Sequence, residues 1–169
     1  SNPMRVAERS ELVRRLSEEF PMTFLIENDA NCCCWSELVS QKHRRERNFL
    51  SILGEFRHTR TGETGHEGVA IGLGFVIKGS VLHGDNFSAG EFQSAFKTVP
   101  NPTQFNVAAD EVKLIRARED AMERLLIEFS MNLAFLVNTL NITKLVFFGD
   151  ICDYRDRILQ VLPTRLEEN

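Results

Sequence analysis

The 169-residue sequence contains no apolar run near the ~18–20 residues that a membrane-spanning helix needs. It is also not basic, because 20 Lys and Arg face 24 Asp and Glu, for a net charge of -4. Surfaces that bind DNA phosphates are usually basic, so these residues are not expected to contact DNA. The amino terminus is charged and helical in pattern, which is not typical of a secretory leader. We therefore expect a cytoplasmic protein that contacts no membrane.

Cysteine is scarce, and three of the four cysteines are consecutive, at Cys32, Cys33 and Cys34. Neighbouring residues point in different directions around a helix, so this run does not supply a tetrahedral zinc site. Adjacent cysteines are also poor disulfide partners for one another. We interpret the three as small apolar helix residues in a reducing compartment, and we expect no metal site and no cofactor.

Hydrophobic periodicity predicts alternating helices and strands. In the first third of the chain we predict a helix over 5–19, a strand over 22–26, a helix over 30–39 and a strand over 48–56. Farther on we predict a strand over 69–77, a tight turn over 78–80, a strand over 81–82, a helix over 109–140 broken near 118–120, a strand over 144–148 and a helix over 154–162. The basic run over 41–47 is typical of a solvated helix end, and residues 57–68 have strong turn chemistry.

This order predicts one α/β domain over residues 1–169, with a layered mixed sheet and flanking helices. The sheet is expected to be antiparallel in the hairpins and parallel where helices cross over. Gly72 and Gly74 lie inside a predicted strand and indicate either a close backbone approach or a bend in the strand. Trp35 is expected in the core.

A polar cluster follows the first predicted strand and opens the next helix. It contains Asn28, Asp29 and Asn31. Ligands of open α/β sheets bind at the carboxyl ends of the strands, which is where this cluster is predicted to lie. The same side chains can cap the helix through their oxygens, and capping alone is the alternative interpretation.

Several stretches, in chain order, resemble the ROK family of sugar-responsive repressors and sugar kinases. The sequence Glu-Asn-Asp-Ala-Asn at 27–31 is similar to the Asn-Asp-Ala-Asn helix start of that family. Residues 71–79 resemble its glycine-rich hairpin, and 83–91 resemble its segment ending in Ala-Gly-Glu. Residues 133–149 resemble its late helix and strand. The resemblance implies an actin-like, ribonuclease H-like lobe, the carboxy-terminal one of a longer protein.

In that family the Asn and Asp of the first motif and the Glu of the second bind sugar hydroxyls. The resemblance therefore implies that Asn28, Asp29 and Glu91 bind a sugar or a sugar phosphate, and that Asp29 is the catalytic base if the protein is a kinase. The chemistry is suitable, because carboxylates accept hydrogen bonds from hydroxyls and an amide both donates and accepts.

The chain also departs from the family pattern. Members follow Ala-Gly-Glu with an apolar residue and Gly-His, whereas Phe92 is followed here by Gln93 and Ser94. The cysteines of the family's zinc loop are missing as well. Kinase members have a Gly-Thr-Gly phosphate turn where this chain has Leu-Gly-Glu-Phe-Arg at 53–57, and Asp150 would repel phosphate oxygens.

Three hypotheses follow. The first is the effector-binding lobe of a sugar-responsive transcriptional regulator, a homo-oligomer that reaches DNA only through a segment outside this sequence. The second is a lobe of a sugar kinase that phosphorylates a hexose with ATP. The third is a dimerisation module whose ligand site has decayed.

Overall fold

The computed structural model of the chain describes residues 6–24, 26–40, 47–57, 68–98 and 100–167, with side chains from residue 11 to residue 162. Most of the predicted basic run (41–46) and of the predicted turn (58–67) therefore lies outside the described residues.

The strands in the described residues are β1 (Phe49–Arg57), β2 (Gly68–Ile77), β3 (Ser80–Val81) and β4 (Leu145–Gly149). They form one mixed sheet in the order β3–β2–β1–β4. Strand β2 pairs antiparallel with β1 and β3, while β4 pairs parallel with β1. The two residues between β2 and β3, Lys78 and Gly79, both have positive φ, which suits a tight hairpin turn. The predicted mixed sheet is confirmed.

The described helices are α1 (Val6–Glu19), α2 (Asp29–Ser40), α3 (Ala109–Lys113), α4 (Glu119–Leu140) and α5 (Arg155–Glu167), with a 3-10 turn over Asp150–Tyr154. The predicted break in the long helix is confirmed, since α3 ends at Lys113 and α4 begins at Glu119. Among these helices none is both long enough and apolar enough to cross a membrane.

The two faces of the sheet are covered by different helices. On one face the main core joins β1 and β2 to α4, and it includes a triad of rings from Phe92, Phe105 and Phe129 with centroids 5.4–6.2 Å apart. On the other face a smaller cluster joins Cys34 of α2 to Phe49 and to two valines. The chain is therefore layered as predicted, with helices on both sides of a mixed sheet.

Helix α2 lies directly on β2 at two glycines. A methyl group built on Gly74 would lie 2.4 Å from Cys34 Sγ and 2.6 Å from the Ala30 carbonyl oxygen. One built on Gly72 would lie 3.2 Å from Ala30 Cβ. The predicted close approach is confirmed, and it holds the amino end of α2 against the middle of β2.

The three consecutive cysteines are free thiols in α2. Cys34 is buried against the sheet, while Cys32 is exposed and Cys33 is intermediate. Burial raises the pKa of the Cys33 thiol to about 11, so this thiol is neutral near pH 7. Cys34 therefore packs as the small apolar residue that was predicted, but Cys32 does not.

The predicted strand over 22–26 is wrong for the residues that the structure describes, because 21–24 and 26–28 contain no strand. Met22 in this stretch is 63% exposed. None of the four described strands pairs with this stretch. An apolar sequence alone does not form a strand without such a neighbour.

Two predictions of burial are also wrong. The apolar spacing in and just after the first helix predicts Leu12 and Phe20 on its inner side, but both are 44% exposed. Trp35, assigned to the core, is 43% exposed. The contact between α2 and β2 is close enough to admit only small side chains, so the indole lies outside it.

Candidate functional site

The amino end of α2 is capped by the predicted polar residues. The backbone N–H of Ala30 donates to Asn28 Oδ1 at 3.0 Å and to Asp29 Oδ1 at 2.8 Å. A side-chain oxygen just before a helix stabilises its first turn, and an acidic residue there suits the helix dipole. The capping role of Asn28 and Asp29 is therefore confirmed. Asp29 is exposed, and within the described part of the chain no residue donates to its second oxygen, Oδ2.

Asn31 was predicted to cap the same helix, but its side chain binds Glu27 instead. It is 1% exposed, and its Nδ2 donates to Glu27 Oε1 at 3.0 Å. Its Oδ1 is buried and has no hydrogen-bond partner among the described residues. Asn31 therefore orients Glu27 rather than the helix backbone.

Glu91 is placed by pairing with β2. It forms an isolated antiparallel bridge with Gly72, and the N–H of Leu73 donates to the carbonyl of Gly90 at 2.9 Å. Side chains directly opposite in an antiparallel pair lie on the same face. Glu91 therefore projects toward the α2 face, and Phe92 toward the opposite face, where it packs in the aromatic triad.

Asp29 and Glu91 lie on the same face of the sheet, near Gly72, and Asn28 precedes Asp29 at the start of α2. A methyl group built on Gly72 would lie 3.9 Å from Asp29 Oδ1. By the usual spacing of paired residues, the Cβ of Glu91 is expected about 5 Å from the position of that methyl group. Among the described residues, none forms a hydrogen bond or an ion pair with the Glu91 carboxylate. Two carboxylates and an amide on one exposed patch can exchange hydrogen bonds with several hydroxyls.

The pair Glu27 and His83 was not predicted from the sequence. Nε2 of His83 lies 2.6 Å from Glu27 Oε2, and Glu27 Oε1 accepts the N–H of Asn28 at 2.8 Å. Burial alone would raise the pKa of Glu27, but the hydrogen bonds from Asn31, His83 and the Asn28 backbone outweigh it and lower that pKa. The stability that Glu27 contributes is thus present above its ordinary pKa and is lost as the pH falls through the lowered value.

Gln104 fastens the Glu91 segment to β2. Its Oε1 accepts the Ile71 N–H at 2.7 Å, and its Nε2 donates to the carbonyls of Ile71 at 2.8 Å and Phe92 at 2.9 Å. The Gln104 side chain therefore links the backbone of Ile71 to that of Phe92, in the way that a paired strand would. These two residues are the neighbours of the paired residues Gly72 and Glu91.

Replacing Gln104 with leucine is expected to destabilise the protein by about 2–4 kcal/mol, because three partly buried backbone groups lose their partners. Urea unfolding measures this change. Gln93→Leu is the control, since Gln93 is an exposed glutamine in the segment that carries Glu91. Equal stability of the two variants would contradict the bracing role of Gln104.

The loop that follows Glu91 is held together by polar side chains. Lys97 Nζ donates to the carbonyls of Asn101 at 2.7 Å and Thr103 at 2.6 Å. The N–H of Asn106 donates to the carboxylate of Glu128 in α4 at 3.0 Å. Among the described residues no three His, Cys, Asp or Glu side chains form a group that could hold a metal ion. In this loop the Lys97 ammonium group holds two backbone carbonyls close together.

A cavity of about 190 Å³ lies on the α4 face of the sheet, behind the segment that carries Glu91. It is lined mainly by apolar side chains, among them Leu73, Phe75 and Phe135. Asn28 and Asp29 do not line this cavity, because they lie on the other face. Glu91 does line this cavity, so of the three candidate residues only Asn28 and Asp29 lie apart from it.

Solved structures with a similar fold include a hexokinase and a glucokinase. A ROK hexokinase from Thermus thermophilus matches with a TM-score of 0.59 at 20% identity, covering 93% of this chain and 61% of its own. A ROK family glucokinase from Streptomyces griseus, in complex with glucose and AMPPNP, matches with a TM-score of 0.61 at 16% identity over 92% of this chain and 62% of its own. This chain has the fold of the corresponding part of these structures. The predicted fold class is confirmed.

A third structure with the ROK fold is a ROK family protein from Streptococcus pneumoniae TIGR4 in complex with sucrose. It matches with a TM-score of 0.61 at 19% identity, over 93% of this chain and 58% of its own. The chain thus spans about three-fifths of the length of these ROK structures. No protein-family model matches the sequence, and no curated protein matches it.

The edge where the ROK resemblance would place a phosphate turn has a different structure. Strand β1 continues through Gly54 to Arg57 and pairs with Gly149 of β4. The N–H of Phe56 donates to Asp150 Oδ2 at 2.7 Å, and Arg116 pairs with Asp150 Oδ1 at 3.0 Å. A strand and a carboxylate that is already paired therefore occupy this edge.

Proposed function

We propose that this chain is the sugar-binding lobe of a cytoplasmic ROK-type protein, in which Asn28, Asp29 and Glu91 bind the hydroxyls of a sugar or sugar phosphate. The observation that carries the proposal is the bridge between Gly72 and Glu91, which turns Glu91 to the face where Asp29 lies. The structures with this fold that contain glucose or sucrose also support it.

Two functions are candidates for a lobe that binds a sugar. The first is effector sensing in a homo-oligomeric transcriptional regulator that binds DNA through another segment. A sugar that binds one conformation better than another shifts the population toward it, which is what such a sensor requires. The pairing of Asp150 with Arg116 and with the Phe56 N–H favours this answer, because it places a carboxylate where a kinase needs phosphate-binding groups.

The second candidate is a lobe of a sugar kinase, and the comparisons of fold favour it over the first. Two of the similar structures are a hexokinase and a glucokinase. In a kinase Asp29 would take the proton from the attacking sugar hydroxyl, as a carboxylate at an exposed helix start can do.

Calorimetric titration of the protein with glucose and sucrose, followed by a coupled assay for ATP turnover, tests the proposal. Heat of binding at sub-millimolar to millimolar sugar without ATP turnover supports the sensor. Sugar-dependent formation of ADP supports the kinase. A tight dimer that binds neither sugar contradicts the proposal and supports the dimerisation module.

A further inference from the structure

The loop that ends in Glu91 is held at both ends. Glu91 pairs with Gly72 at one end, and His83 anchors the other. The carbonyl of His83 accepts the N–H of Ala89 at 3.0 Å, which closes the loop on itself. The His83 ring packs on Phe87, with centroids 5.4 Å apart. Only Gly90 separates the closing residue Ala89 from Glu91. A displacement of His83 is therefore passed to Glu91 over a short path.

The ring of His83 contacts Glu27, which lies two residues before the start of α2. Both of its carboxylate oxygens are used: Oε1 accepts from Asn28 N–H and Asn31 Nδ2, and Oε2 lies 2.6 Å from His83 Nε2. Since a carboxylate only accepts, Nε2 of His83 carries the hydrogen. The two side chains are only 11% and 29% exposed, so water competes weakly for this bond.

We propose that Glu27 and His83 are positioning residues of the sugar site, whose hydrogen bond holds the helix start with Asn28 and Asp29 against the loop that ends in Glu91. The inference rests on the proposed function. Neither side chain needs to touch the sugar. Their bond joins parts of the site that are 56 residues apart in the sequence, and a bond to a charged group holds them more firmly than a neutral one.

Two substitutions of His83 separate positioning from general stability. His83→Gln keeps an N–H that can donate to Glu27, whereas His83→Leu keeps the bulk and removes the donor. Titrated with glucose and sucrose, His83→Leu is expected to bind at least about tenfold more weakly than the parent, and His83→Gln within about threefold. Asn86→Leu, an exposed position in the same loop, is the control and should bind as the parent does.

Hydrogen exchange in the ligand-free protein tests the coupling without any sugar. In His83→Leu the amide of Ala89 and that of Ala30 are both expected to exchange faster, because each segment loses its anchor on the other. Faster exchange confined to residues 83–91 would overturn the inference, and so would equal sugar affinity of His83→Leu and the parent. If the parent binds neither sugar, the proposed function fails, and the positioning role fails with it even where the exchange shows coupling.

Discussion

Replacing Gly90 with alanine is expected to destabilise the protein by about 3–5 kcal/mol, the largest loss that we expect from a single methyl group. The added Cβ would lie 1.7 Å from the carbonyl oxygen of Leu73, a backbone atom that cannot rotate away. Gly90 also has a φ of 95°, which costs further energy in any residue with a side chain. Relief of the clash would break the bond from Leu73 N–H to Gly90 and would move Glu91 away from Gly72. Urea unfolding measures the loss, and glucose titration should show that binding is lost with it.

Gly84→Ala is the matched control for this change. Gly84 lies in the same loop and has a φ of 70°, but a methyl group there would meet nothing nearer than Ala89 Cβ, at 3.3 Å. It therefore carries the strain without the backbone clash and should cost about 1 kcal/mol. If both variants lost the same stability, the pairing of the Glu91 segment with β2 would not be the cause.

Replacing Asp29 with alanine is expected to weaken sugar binding about a hundredfold or more. A carboxylate that accepts from two neighbouring hydroxyls contributes two charge-assisted hydrogen bonds, and both are lost. The fold should lose only about 0.5–2 kcal/mol, because Asn28 still accepts the N–H of Ala30. Calorimetric titration with glucose gives the first quantity, and thermal unfolding without sugar gives the second.

Asp156→Ala is the control, since Asp156 also stands in the first turn of a helix and is exposed. It should match Asp29→Ala in stability and the parent in affinity. Two results would count against a binding role for Asp29. One is unchanged sugar affinity, which would leave capping as its only function. The other is a collapse of the fold far beyond the loss of a cap.

Much of the fold follows from local chemistry in the sequence. The alternation in β1 and β2, the Lys-Gly turn and the periodicity of α4 each depend on neighbours within a few residues. The predictions that are wrong concern residues whose structure depends on contacts with distant parts of the chain. Residues 22–26 are apolar enough for a strand, but no described strand lies beside them. Trp35 is apolar enough for the core, but α2 sits too close to Gly72 and Gly74 to admit it.

The same distinction between local and distant contacts applies to the residues of the candidate site. Asn28 and Asp29 could be placed at a helix start because capping is a local event. The bond between Glu27 and His83 could not be predicted, because nothing near either residue in the sequence specifies the other. Only the family resemblance put Glu91 in the same site, and its orientation depends on the pairing of one residue with Gly72.

That single pairing determines where this scaffold can change in length. Glu91 is exposed and Phe92 packs in the aromatic triad, so one residue inserted between Gly90 and Glu91 would turn the acid inward and the phenyl ring outward. The tip between Gly84 and Ser88 is exposed and lies inside the closure from Ala89 to His83. Extra residues inserted there would leave both ends of the loop in register, so the tip is where related chains can differ in length and reach different ligands.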